Sequence, residues 1–168
     1  MEDFEYLLKK CELSLESEDY ESVIEYCDNL LTIDSNNIDV LLYKSYSLHC
    51  LHKYEESLVI YNKLLKLKPD EGSFWCSKGY LLENLGEYDM AIECFNNAYN
   101  AQTAPHKLDM IYSLAFLFKK LGRFAEAKKE WELIIEALIS EYETPKDDNT
   151  IEWAKREIVQ LEQLMATK

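Results

Sequence analysis

Apolar residues along this chain fall at alternating three- and four-residue steps, and short polar stretches interrupt them at regular intervals. Phe4, Leu7, Leu8, Cys11 and Leu15 form the first stripe, and Val23, Cys27 and Leu30 the second. Leu41, Ser45 and Leu48 precede Ser57, Tyr61 and Leu64; Trp75, Gly79 and Leu82 precede Ala91, Phe95 and Ala98. Ile111, Leu114, Ala115 and Phe118 precede Ala127, Trp131 and Ile134, and a last stripe runs Ile151, Ala154, Ile158, Leu161, Met165. The helical step puts each set on one side of an amphipathic helix. No period-two alternation occurs, so the pattern predicts helices throughout and no sheet. The first helix is expected over about 3–16, the second over 20–33 and the last over about 148–165.

The interruptions carry stop chemistry. Asn36-Asn37 suits a turn followed by a helix cap, and Gly86-Glu87-Tyr88 breaks the run between two stripes. Pro69, Pro105 and Pro145 each follow a predicted helix pair, where a missing N–H and a fixed φ end a helix.

A fixed beat underlies the stripes. Tyr20, Tyr54 and Tyr88 stand 34 residues apart, each opening the second helix of a pair, in DYESVIEY, KYEESLVIY and EYDMAIECF. Phe124 follows after 36, the two extra residues being assigned to the connection 102–106. Cys11, Ser45, Gly79 and Ala115 share one small-residue position, which lets two antiparallel helices approach closely. In the stretch 75–98, Trp75, Gly79, Tyr88, Ala91, Phe95 and Ala98 together resemble the tetratricopeptide repeat, a helix–turn–helix unit of 34 residues.

That resemblance implies an all-α, right-handed α-α superhelix, a single domain spanning 1–168. Its repeats fall at about 4–37, 38–71, 72–105 and 108–141, with a C-terminal capping helix at about 148–166. The first repeat is the most degenerate, with Val23, Cys27 and Leu30 where the family prefers Ala, an aromatic and Ala. The last stripe also satisfies a short heptad pattern, so helix-mediated dimerisation stands as the alternative to capping.

In this family the first helix of each repeat faces a concave groove. The positions it implies here are Leu8 and Glu12, then Leu42, Tyr46 and His49, then Cys76, Tyr80 and Glu83, and last Tyr112, Phe116 and Lys119. Tyr46, Tyr80 and Phe116 are equivalent in three successive repeats, an aromatic ladder suited to peptide recognition at low entropy cost. Rings covered between neighbouring first helices are the ordinary alternative. Heat-shock co-chaperones of the family clamp a C-terminal carboxylate with Lys and Asn. Leu8, Glu12, Leu42 and Tyr46 stand at those positions here, so the clamp is missing and Glu12 would repel the carboxylate. The implied function is non-catalytic: an adaptor or assembly factor holding a peptide or helical segment of another protein.

Charge narrows the partner. The net charge is −14, and residues 1–39 hold twelve Asp and Glu against two Lys, leaving only −4 for the remainder. Such a balance opposes binding to a phosphate backbone, so no nucleic acid is expected. The acidic end reads as a solvated face or as a steering surface for a basic partner. The fourth repeat carries Lys107, Lys119, Lys120, Arg123, Lys128 and Lys129 against Asp109 and Glu126. That cluster is either a balanced surface or one half of a head-to-tail self-association, which would make the protein a structural module.

Five cysteines without a CxxC fit a reducing compartment better than a disulfide framework. MEDFEYLLKK lacks the basic start and apolar core of a signal peptide, and no apolar run reaches membrane-spanning length. A soluble cytoplasmic protein is therefore expected, with no membrane contact and no cofactor. His49-Cys50-x-His52 is the single local ligand-like cluster. Its two histidines are placed roughly on one helix face, so a small metal-dependent protein is the minor alternative. GxSxG, HExxH and phosphate-loop motifs are absent.

Overall fold

The computed structural model describes residues 3–101, 107–141 and 148–167. Nine helices and no strand occur among them: α1 Phe4–Glu16, α2 Tyr20–Ile33, α3 Ile38–Cys50, α4 Tyr54–Leu67, α5 Gly72–Asn84, α6 Tyr88–Asn100, α7 Lys107–Lys120, α8 Phe124–Glu141 and α9 Asp148–Ala166. Each helix packs chiefly on its neighbours in sequence, so the chain forms a solenoid of stacked antiparallel pairs, not a bundle about one closed centre.

The turn inside each pair is built the same way four times. Glu18, His52, Gly86 and Gly122 adopt φ of 58°, 58°, 79° and 71°. Their amides bond back to Leu15, His49, Glu83 and Lys119 at 2.9–3.1 Å. The following amides of Asp19, Lys53, Glu87 and Arg123 reach Ser14, Leu48, Leu82 and Phe118 at 2.8–2.9 Å. This double closure satisfies carbonyls left open at the helix end and needs one left-handed residue. Glycine meets that need freely at 86 and 122, whereas Glu18 and His52 meet it at a steric cost. His52 therefore lies in the turn beyond α3, and the expectation that it shares a helix face with His49 is corrected. Its Nδ1 bonds the Tyr54 hydroxyl at 2.6 Å.

Between pairs, Asn37 caps α3, its Oδ1 accepting the Val40 amide at 3.2 Å, while Asp34 accepts the Asn36 amide at 3.1 Å. Asp19 caps α2 through the Ser22 amide at 3.2 Å. Of the three prolines, Pro69 follows α4 as a stop; Pro105, Pro145 and the connection 102–106 lie outside the described residues.

Packing within each pair turns on the small-residue position. A Cβ built on Gly79 would sit 2.7 Å from Cε1 of Phe95, so Phe95 is the side chain that uses the room glycine leaves. The first repeat meets the same need with two buried thiols, Cys11 and Cys27, whose sulfurs are 3.5 Å apart. The second uses buried serines: Ser57 Oγ donates to the Ser45 carbonyl at 3.0 Å, and the two hydroxyls lie 2.9 Å apart. These pairs belong to a run of apolar clusters, one in α1–α3, one around α3–α5 and the largest from α5 to α9.

α9 covers the end of this stack. Ile151, Ala154 and Leu161 are buried against it, with Ile158 packed at the margin. Trp153 adds a contact the stripe does not include. Its ring centroid lies 4.8 Å from Trp131, 6.1 Å from Tyr112 and 5.9 Å from Phe116. Much of the basic cluster of the fourth repeat is neutralised internally. Lys119 pairs with Glu157 at 2.5 Å, Lys128 with Glu162 at 2.5 Å, and Arg123 with Glu126. Lys107 and Lys120 lie over the rings of Tyr99 and Tyr88 at 5.2 and 4.4 Å. That arrangement matches a balanced surface better than an open basic patch.

Candidate functional site

On α3, α5 and α7, the helices expected to line the groove, the three ladder rings all reach solvent. Tyr46 is 53% exposed, Tyr80 40% and Phe116 45%. Each is also braced from beneath. Tyr46 meets Tyr20 edge-on at 6.1 Å, Tyr80 meets Phe95 at 5.0 Å, and Phe116 meets Trp131 at 5.4 Å. Rings half-buried on a packed floor keep a fixed position while one face stays wet, the condition for contact at low entropy cost.

Two concavities bring predicted residues together. One of about 160 Å³ lies between α3 and α5, with Tyr46, His49 and Tyr80 at its mouth and Ser45, Ser57, Tyr61 and Leu81 deeper in its wall. The second, about 400 Å³, lies between α5 and α7 and is lined by Tyr80, Glu83, Asp109, Tyr112, Ser113 and Phe116. Tyr80 is the partition between them. Its hydroxyl lies 3.1 Å from Ser113 Oγ, which donates in turn to the Asp109 carbonyl at 3.0 Å.

The remaining predicted positions line neither hollow. Leu42 and Cys76 are half-buried on α3 and α5, and Lys119 is held by Glu157. On α1, Leu8 is half-buried and Glu12 exposed. Asp109 and Ser113 were not among the predicted residues, although they stand three before and one after Tyr112, on the same helical face. Trp153 was also missed, since it lies off the apolar stripe of α9 and its role shows only once α9 is seen against α7 and α8.

Electrostatics around the second hollow are one-sided. Glu83 and Asp109 have no lysine or arginine partner among the described residues. Burial pushes the Cys76 thiol up to about 11, with the charge of Asp109 adding to it, so this sulfur stays protonated and is a poor nucleophile. The Tyr80 phenol is likewise raised, first by burial, and the charges of Asp109 and Glu83 act in the same direction. Among the described residues no group of three or more His, Cys, Asp or Glu side chains is placed to hold a metal ion. No helix among them is long and apolar enough to cross a membrane.

Known proteins share this architecture. A family model described as the tetratricopeptide repeat matches residues 72–104. Over 147 residues the chain is 29% identical to the TPR repeat-containing protein MJ1428 of Methanocaldococcus jannaschii. That match covers 86% of this chain and 25% of the relative, so the chain spans a quarter of the relative's length. The crystal structure of MamA superposes with a TM-score of 0.72 at 16% identity, covering 97% of this chain and 88% of that one. The TPR-like repeats of a kinesin light chain from Podosopora anserina superpose with a TM-score of 0.74 at 11% identity, covering 100% and 90%. At such identities the structures speak for the fold.

Proposed function

We propose that this chain, whose residues 72–104 match the tetratricopeptide-repeat model, is a non-catalytic, cytoplasmic scaffold whose groove holds a segment of another protein. The observation that carries this is the placement of Tyr46, Tyr80 and Phe116: three braced, half-exposed rings in successive repeats, with a hollow on either side of Tyr80. A segment laid along α3, α5 and α7 would set an apolar side chain in the smaller hollow and keep its backbone in water. Many modest contacts on a prebuilt surface then supply the affinity, because little is left to order on binding. The strongly negative charge favours a protein partner over nucleic acid.

Site-directed photocrosslinking tests the groove. A benzophenone amino acid at His49 faces the groove, and one at Val59, 68% exposed on α4, stands away from it. In native lysate, discrete adducts are expected from position 49 and lost in the Tyr46→Ala/Tyr80→Ala background. Equal adducts from both positions, or adducts insensitive to the two substitutions, would place binding elsewhere.

A further inference from the structure

We propose that the hollow between α5 and α7 is a receptor for the guanidinium of an arginine in a basic segment of the partner protein. The inference rests on the groove reading above and adds the chemistry of the occupant. Its walls supply two things a guanidinium needs. Tyr80, Tyr112 and Phe116 offer aromatic rings, on which a planar, weakly hydrated cation stacks. Glu83 and Asp109 offer carboxylates able to accept its N–H groups.

Three further observations fix the sign of the occupant. Asp109 is exposed and Glu83 half-buried, and neither has a basic partner among the described residues, whereas other carboxylates of this half do: Glu126, Glu157 and Glu162 hold Arg123, Lys119 and Lys128. Lys119, the basic residue predicted in this part of the groove, is thus already occupied, and nothing positive lines the hollow to receive an acidic side chain. The chain carries −14 overall, with −10 gathered in residues 1–39, so its field attracts a basic segment and repels an acidic one. An ammonium would satisfy the carboxylates but stack less well, and a neutral side chain would leave both of them unpaired.

Panning a random dodecapeptide library against the full chain reads the preference directly. Wild-type protein is expected to enrich arginine at least about threefold over input, and Glu83→Gln/Asp109→Asn to abolish that enrichment while circular dichroism stays unchanged. Fluorescence anisotropy with an enriched peptide then compares each arginine with citrulline, which keeps the shape and loses the charge. A loss of about tenfold or more is expected, matching the usual strength of charge-assisted hydrogen bonds. As a control for bulk charge, Glu21→Gln/Glu25→Gln on α2 should change affinity much less than the pocket pair. Enrichment of acidic or neutral peptides that depends on Tyr46 and Tyr80 would overturn the arginine receptor and leave the groove standing. Arginine enrichment equally sensitive to the α2 control would overturn it as bulk electrostatics. Enrichment indifferent to both tyrosines would overturn the groove reading as well.

Discussion

Gly79 offers the sharpest test of how the helix pairs are packed. Replacing it with alanine places a methyl carbon 2.7, 2.9 and 3.0 Å from Cε1, Cδ1 and Cζ of Phe95. Carbon atoms rest at about 3.5–4.0 Å, so the ring must retreat by roughly 0.8 Å. Phe95 has no exposed surface into which to move, and Tyr80 stands edge-on to it at 5.0 Å. Overpacking of this kind costs about 1–3 kcal/mol. Alanine recovers about 0.8–1 kcal/mol as the better helix former. Because the ring is fully buried, the upper part of that range, about 2–3 kcal/mol, applies, leaving a net loss of about 1–2 kcal/mol, or a Tm lower by about 2–8 °C for a chain of this size. Urea titration followed by circular dichroism measures it, and Phe95→Leu supplies the cross-check. Gly79→Ala should cost less by at least about 0.5 kcal/mol when the ring is absent, because residues in contact do not act additively. A Gly79→Ala protein as stable as wild type would refute the argument, since helix propensity would then outweigh a clash that the ring absorbs freely.

Other substitutions test the remaining features. Glu18→Gly should raise stability by about 0.5–1 kcal/mol in a urea melt, and Gly86→Ala should lower it by about 1 kcal/mol, because both turns require the left-handed region. Ser57→Ala should cost about 1–2 kcal/mol by stranding the Ser45 hydroxyl, while Ser45→Ala/Ser57→Ala should come out near neutral, as paired removal of buried partners does. Trp153→Ala should lower the melting free energy by about 2 kcal/mol, less than a fully buried ring because it is partly exposed. Deleting 148–168 should cause aggregation by uncovering the Trp131 side of α8, and a soluble, stable monomer from that deletion would refute the capping role. The Asp19 carboxyl is held below its ordinary 3.8, first by the Ser22 hydroxyl and then by the Ser22 amide. Its cap is therefore at full strength above that value and fades as pH falls through the lower, folded one. Asp19→Asn should flatten this part of the acid limb of a stability profile measured between pH 5 and 2.

The helices were legible because two levels of sequence agree. At Tyr20–Ile33, for instance, a 3–4 stripe and the 34-residue beat mark the same segment. The turn chemistry was half legible. Gly86 and Gly122 announce the left-handed residue, but Glu18 and His52 occupy it without glycine, so only their place in the repeat marks the turn there. The groove faces expected on α3 and α5 came from the family resemblance, not from spacing. What spacing does not carry is pairing across repeats. Lys119 counts as an open cation until Glu157, 38 residues later, is seen to hold it. Asp109 looks like a surface acid until it faces Glu83 across a hollow, and Trp153 looks like a solvent-side residue until three rings surround it. Such contacts depend on how successive pairs tilt, which no local pattern encodes.

The bond from Tyr80 to Ser113 acts as a strut across two turns of a coiled spring. The same ring borders both hollows, so a change at position 80 alters the two together.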